Sequence, residues 1–537
     1  MTHVNPMPAY RDVLPHAETP VLGRFKSSTR RAIRHTIAFA VIGFFAFTPV
    51  SGALSATAHL TAASPWVAFA DPLAPETGVP LIPAIFDSLT SLTDDGHLTS
   101  ALAMSWQNDG HNVWTFKVRP NVVFNDGTQL DARAIAECLG ILIGSQRDTY
   151  GSAAYTQDIL AVRAIDAERV EITTKSQDAR LDRKLANVRI FSAAAFNKMG
   201  RAAFAKSPVG TGPYKPVEWS PGGNGVLLEA VPTSWRAPAQ IDRVRITVVG
   251  DATSRIQSLL SGKTDIAHAI DPDAIAAIEE AGFNVKILES PMVIALALRT
   301  SPGAAIPLKD RNVRIAMNMA INREAISQYL LKGTMKPATQ FATPGVLGYD
   351  LAVQPYPYDL DRARKLLSEA GYGSGFRLVG MVSTGQIPGD QLVYQQVVQD
   401  LRSVGIEVQL NVLPINEFLR RRSATSWDGV DIYGTLLAHF RYGDISRSAE
   451  LNSCIDPIST FCEPAMADLI ERSNREMDPK IREQMLKTIN AQFQDLAPVL
   501  QIVNFSSIIA YSKKFDSLPS TTGNIKFEEM RIIDKGK

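Results

Sequence analysis

Cys454 and Cys462 bracket the short segment Cys454-Ile-Asp-Pro-Ile-Ser-Thr-Phe-Cys462, where residue type and spacing together point to a disulfide closing a small loop. In the chain-entropy description such a loop contributes roughly 2.5 kcal/mol. The third cysteine, Cys138, lies on the apolar side of a helix expected over Asp131–Ile143 and reads as a small buried hydrophobe, not a nucleophile. Other candidate chemistry fails on spacing. Ser261-Gly262-Lys263-Thr264 has the ending of a phosphate-binding loop, but the first glycine of that motif would fall at Gln257. A helix-to-strand turn before Asp265 accounts for it. Gly371-Tyr372-Gly373-Ser374-Gly375 follows a helix instead of a strand, so the dinucleotide-binding reading fails too. There is no Gly-x-Ser-x-Gly elbow and no His-Glu-x-x-His pair. The eight histidines are scattered without ligand spacing. No catalytic residue, no resident metal and no cofactor is expected. Nickel bound to a small chelator stays compatible, because such a complex needs few protein ligands.

The bulk composition narrows the partners. Lys plus Arg number 55 against 54 for Asp plus Glu, a net charge of +1, which recommends neither nucleic acid nor an anionic membrane surface. At 537 residues the chain exceeds one compact core, so two or three domains are expected. At the N-terminus Lys26, Arg30, Arg31 and Arg34 precede an apolar run from Ile37 to Phe47, and Ala56-Thr57-Ala58 offers a cleavage site. Residues 1–58 therefore read as a signal peptide, with Ala68-Phe69-Ala70 as the later alternative cleavage site. Thr29-Arg30-Arg31-Ala32-Ile33-Arg34 looks like a twin-arginine signal; an ordinary basic leader is the competing reading. No cysteine directly follows the apolar run, so a lipoprotein is not expected, and the mature chain is placed free in the periplasm.

The elements follow from periodicity and turn chemistry. Asp94-Asp95-Gly96, Asn108-Asp109-Gly110 and Asn125-Asp126-Gly127 mark hairpins, and Val113–Val118 alternates with period two. After Gly210 the texture becomes α/β: strands over Val226–Val231 and Val244–Val249, a helix over Ser254–Leu260, then strand, helix and strand over Asp265–Ile270, Pro272–Ala281 and Phe283–Leu288. Asp310, Asn322 and Asp359 read as helix caps. Behind Asp310, Val313, Ala316, Met317 and Ala320 recur on one face; behind Asp359, Ala363, Leu366, Leu367 and Ala370 do so before Gly371.

Several blocks, taken in order, carry a family resemblance. Leu98 to Trp106 runs into Trp114-Thr-Phe-Lys-Val-Arg-Pro120 and Phe124-Asn-Asp-Gly-Thr128. Val209-Gly-Thr-Gly-Pro-Tyr-Lys215, Leu260-Ser-Gly-Lys-Thr-Asp-Ile266, Val313 to Arg323, and Tyr358 to Tyr372 follow. The chain resembles the family 5 extracellular solute-binding proteins of ABC transporters, the group of periplasmic oligopeptide-, dipeptide- and nickel-binding proteins. The resemblance implies an α/β fold of two lobes with mixed sheets, a hinge and an inserted third domain. Lobe I would comprise residues 71–85, 206–290 and 497–537, the insertion 86–205, and lobe II 291–496. The implied partners are a peptide or small-molecule ligand and permease subunits with separate ATPase subunits, the chain itself being a monomer.

Peptide-binding members of that family resemble one another in pairing an Asp, just after a Gly-Trp turn, with the free amino group of the peptide. A buried ammonium needs such a partner. Here ungapped counting back from Cys454 puts that position at Phe440, and counting forward from Trp427-Asp428 puts it at Leu437. The segment Phe440-Arg441-Tyr442-Gly443-Asp444 is accordingly expected to line the cleft. Phe440 and Tyr442 would offer apolar and stacking surface, Arg441 would meet an anionic group, and Asp444 would be the only nearby partner for a cation. A modified peptide, an amino-acid conjugate such as an opine, or another small polar molecule is favoured, with a plain peptide as the runner-up. Arg422 falls where some relatives carry an arginine facing a ligand carboxylate; a solvated basic helix face is the plainer reading. A secreted hydrolase and a ligand sensor that feeds no transporter are the rival functions.

Overall fold

The structure, a computed structural model, describes residues 59–64, 71–73, 81–145, 151–219, 224–236, 238–301, 303–384, 387–422, 429–456, 458–521 and 524–533. The leader and Ala68–Ala70 lie outside them.

The first described element is strand β1 (His59–Ser64). Four strands then form an antiparallel sheet: β2 (Ala103–Asn108), β3 (Val113–Val118), β4 (Ile159–Ala164) and β5 (Arg169–Thr174), in the order β2-β3-β5-β4. In β3 the alternation works as expected, with Trp114, Phe116 and Val118 facing inward. Helix α1 (Ala132–Gly144) begins after Asp131, whose carboxylate accepts the amide of Ala134 at 2.8 Å, and buries Ile135, Cys138, Leu139 and Leu142.

A second, ten-stranded mixed sheet collects the rest. It contains β6 (Tyr214–Trp219), β7 (Gly225–Ala230), β8 (Arg243–Val248), β9 (Ile266–His268), β10 (Asn284–Leu298), β11 (Phe376–Ser383), β12 (Ile406–Leu413), β13 (Ile432–Ala438) and β14 (Val499–Tyr511), together with β1. The order is β12-β11-β13-β10-β14-β9-β1-β8-β7-β6. β1 lies parallel to both β8 and β9, inside the sheet. The helices packed along this sheet are α2 (Ala252–Leu260), α3 (Arg311–Ala320), α4 (Leu360–Glu369), α5 (Asp390–Arg402), α6 (Ile415–Arg422), α7 (Pro464–Arg475) and α8 (Pro479–Leu496).

Two long strands, β10 and β14, lie side by side at the centre of this sheet. β10 has 15 residues, about 50 Å of extended chain, and pairs antiparallel with β14 along its length. The pairing register shifts between Glu289 and Val293, where Pro291 has no amide hydrogen to give the ladder. The strand expected to end at Leu288 passes through the irregularity and continues to Leu298. On the far side, successive β10 residues feed different cores. Ile294, Leu296 and Leu298 pack with α3, α4 and α5, while Val293, Ala295 and Ala297 pack with α7 and α8. On the near side, a single apolar core unites β1 and β6 to β8 with α1 and the four-stranded sheet, so residues 86–205 are fused to that lobe by packing.

The expected caps are present at Asp310, Asn322 and Asp359, which accept amides at 2.7, 2.9 and 2.8 Å. The helix expected over Pro272–Ala281 is a 3-10 turn, Pro272–Ala274, followed by a short helix, Ile275–Glu280. The segment Ser261–Thr264 is a helix end with Gly262 at φ +71°, in keeping with a turn.

Candidate functional site

A cleft of about 730 Å³ lies between residues 250–274 on one side and Leu330 with residues 387–392 on the other. One wall is the start of α2 with the loop after β9, including Asp251, Arg255, Ala269 and Asp271; the other is Leu330 and the start of α5, from Ile387 to Leu392. Arg255 fixes the first wall. Its buried guanidinium donates to the carbonyls of His268 (2.8 Å), Val249 (2.8 Å), Gly250 (2.8 Å) and Ala269 (2.7 Å), fastening a loop in which Ala269 has φ +52°. With its donors turned to backbone, Arg255 serves as a clasp. In the second wall Gly389, at φ +74°, leads into α5, and a β-carbon there would stand 2.9 Å from Leu331 Cδ2.

The electrostatics of the cleft are acidic. Desolvation raises the Asp271 carboxyl above its ordinary range, Arg255 opposes this, and Asp273, Asp390 and Asp251 add to it. Asp251 caps α2, accepting the amide of Ser254 at 2.7 Å, and Asp273 pairs with Lys332 at 3.3 Å. Carboxylates from both walls thus face a common space, the electrostatic complement of a cationic group.

The expected binding residues stand elsewhere. Phe440, Arg441, Tyr442 and Asp444 share the loop after β13, and none belongs to the lining just described. The Arg441 guanidinium lies 5.4 Å from the half-buried Phe440 ring and donates to the Tyr155 hydroxyl. Tyr442 is 4% exposed, edge-on to Tyr155 with ring centroids 6.0 Å apart. Asp444 is fully buried; it pairs with Arg482 at 2.6 Å and accepts the Ser446 amide (2.8 Å) and hydroxyl (2.6 Å). Burial alone would raise its carboxyl, but Arg482 and Arg183 outweigh it and hold Asp444 below the usual range. A carboxylate so matched is already neutralised by protein. Arg422 stands apart on α6, 5.7 Å from the Tyr433 ring. The residues lining this cleft carried only a weak local signal. Asp271-Pro272-Asp273 reads as a helix start, and Pro388-Gly389-Asp390 reads as a turn before a helix.

Cys454 and Cys462 are bonded to each other, and the carbonyl of Thr460 within their loop accepts the amides of Thr300 (2.7 Å) and Ser301 (3.1 Å). Cys138 is buried beneath Phe191, and burial pushes its thiol up to about 12. Among the described residues no group of three or more His, Cys, Asp or Glu is arranged to hold a metal ion, and no helix is long and apolar enough to cross a membrane.

Comparison with known proteins defines the class. The family of bacterial extracellular solute-binding proteins, family 5, matches residues 97–435. The chain belongs to that family, and its role is that of the substrate-binding component of an ABC transporter. It is 28% identical over 411 residues to the glutathione-binding protein GsiB of Escherichia coli K12, covering 75% of this chain and 78% of that one. The fold matches the Helicobacter pylori periplasmic binding protein DppA in complex with the peptide STSA, with TM-score 0.72, 21% identity, and coverage of 89% and 98% of the two chains. It also matches AgaA of A. tumefaciens R10 in complex with agropinic acid, with TM-score 0.73, 21% identity, and coverage of 89% and 99%.

Proposed function

We propose that this protein captures a small peptide or peptide-like solute carrying a free amine in the interlobe cleft, and delivers it to permease subunits driven by separate ATPase subunits. The observation that carries the reading is the cleft itself: about 730 Å³, walled by both lobes and acidic on both sides. Asp271 would take the ammonium that Phe440 and Leu437 leave without a partner. A glutathione-sized solute suits this volume, and the likeness to GsiB supports it. An amino-acid conjugate such as an opine is the second reading, supported by the likeness to AgaA.

The division into lobe I (71–85, 206–290, 497–537), insertion (86–205) and lobe II (291–496) belongs to the same proposal, extended by β1 at its start. So does export. Cleavage after Ala58 would leave β1 intact at the new N-terminus, whereas cleavage after Ala70 would remove a strand paired on both sides. The mature protein acts as a periplasmic monomer without catalysis.

Calorimetric titration tests the ligand class. Protein stripped by unfolding and refolding with its disulfide intact is titrated with reduced glutathione, a tripeptide panel and their N-acetylated counterparts, and separately with agropinic acid, whose nitrogen is a lactam amide. At least one free amine should bind at micromolar concentration or below, with acetylation or Asp271→Asn weakening it at least tenfold, about 1.4 kcal/mol. Equal affinity for blocked and free forms would remove the amine from the proposal.

A further inference from the structure

The loop Phe440–Asp444 is packed against residues 86–205, and on the proposed division this contact crosses from the second lobe to the insertion. Among the described residues, the apolar core shared by residues 86–205 and the first lobe has one buried member contributed by residues 291–496: Tyr442. Its ring meets Tyr155 edge-on, and the Arg180 guanidinium lies 5.8 Å from its centroid. Around it a ring of polar contacts also crosses. Arg180 pairs with Glu450 at 2.5 Å, both side chains being largely buried. Arg183 donates through one nitrogen to the carbonyls of Tyr442 (2.7 Å) and Gly96 (3.0 Å). The side chain of Asn187 donates to the Arg441 carbonyl, and the Ala179 amide donates to the Asn474 carbonyl at 2.8 Å.

At the closest approach two glycines meet. A β-carbon on Gly443 would stand 2.4 Å from the Gly96 carbonyl oxygen, and one on Gly96 would stand 3.0 Å from that of Gly443. Neither position has room for a side chain, so backbone rests on backbone.

The sheet passes between the lobes through β10 and β14, with its irregularity at Glu289–Val293. If the lobes part by bending there, Tyr442 must leave its socket and the Arg180–Glu450 pair must be rehydrated. Rehydration returns much of what the ion pair contributes, so the pair fixes register more than it holds the lobes together. The ring does not recover its loss, because opening exposes apolar surface to water.

We propose that Tyr442, seated in the insertion and framed by Arg180–Glu450 and the Gly96–Gly443 contact, is a latch that holds the two lobes closed without ligand. It makes Tyr442 a positioning residue for capture: apparent affinity is the intrinsic affinity scaled by the closed fraction, which the latch raises. The proposal rests on the two-lobe capture reading for the direction of motion, but not on any particular ligand.

The test is an interlobe distance in protein stripped of ligand. Native Cys138 is buried and Cys454 is bonded to Cys462, so Leu160→Cys and Ile481→Cys, both at exposed positions on opposite sides of the contact, accept spin labels selectively. The unliganded parent should give one narrow, short distance. Tyr442→Ala should raise the open-to-closed ratio by about tenfold, as expected for losing a buried ring. Gly443→Ala should do the same by wedging the contact while deleting no side chain, which keeps the test valid should Tyr442→Ala fail to fold. Arg472→Ala, in the exposed pair with Asp468, should leave the distribution unchanged. A parent already as open as the variants, or Gly443→Ala and folded Tyr442→Ala remaining closed, would overturn the latch. Neither result touches the calorimetric test of the ligand class.

Discussion

His439 and His268 show how a single buried side chain sets a pH dependence. Burial is the main cause in both, and it lowers their pKa from 6.5 to about 4, although the Phe341 carbonyl 2.9 Å from His439 Nε2 acts the other way. Both rings are therefore neutral in the folded protein near neutrality, so the stabilising effect is present above 6.5. Between 6.5 and 4 the unfolded chain takes up protons that the folded chain refuses, and stability falls as the pH is lowered through that window. Each histidine accounts for roughly 3 kcal/mol across it. Thermal unfolding between pH 7.5 and 4 should show the decline, and His439→Gln, which keeps a donor for the Phe341 carbonyl, should flatten it. The carboxylate of Asp444 is held low by Arg482 and Arg183, so its loss begins only below the histidine window. At the same scale Cys138 should resist alkylation in native protein and react on unfolding, because its buried thiol is pushed up to about 12; mass spectrometry before and after denaturant reads this directly.

Among the elements, the turn Val209–Lys215 explains why glycine occurs twice in that block. A β-carbon on Gly212 would lie 2.4 Å from the Ala84 carbonyl oxygen and 2.6 Å from the Ile85 carbonyl carbon, both backbone atoms that no side-chain rotation can move aside. Between the glycines Thr211 donates to the buried Asp87, which also receives Trp235 at 2.8 Å and Arg236. Gly212→Ala should therefore destabilise by roughly 3 kcal/mol, measured by denaturant unfolding, through overpacking at a rigid contact. The Cys454–Cys462 loop is the second such element. Its carbonyl contacts with Thr300 and Ser301 tie it to the end of β10. Replacing both cysteines by serine should cost about 2.5 kcal/mol by the loop-closure argument, with the fold retained.

For the molecule as a whole, the position of β1 ties export to folding. It is hydrogen-bonded to β8 on one side and β9 on the other, so removing it would open the sheet interior. N-terminal sequencing of periplasmic protein should give a mature chain starting at His59. A chain starting after Ala70 should be recovered poorly or unfolded. Closure is the other whole-molecule property. Ligand shifts the lobes only by its differential affinity for the closed state, so a parent already latched should show a smaller scattering change on binding than Gly443→Ala does.

Much of this was legible in the chain because it depends on near neighbours. Caps at Asp131, Asp310, Asn322 and Asp359, the apolar faces behind them, the hairpin glycines and the spacing of Cys454 and Cys462 are local properties, and local chemistry decides them. The wall of the cleft was not legible. Asp271 and Asp390 are distant in sequence, and only the packing of two lobes around β10 and β14 brings their charges within reach of each other. The same holds for Asp444 and Tyr442. As isolated letters in a loop they suggested a ligand for the cleft; only the fold shows that Asp444 pairs with Arg482 and that Tyr442 packs on Tyr155. A charge or a ring is committed by whatever fills the space beside it, and that neighbour is a property of the tertiary structure alone.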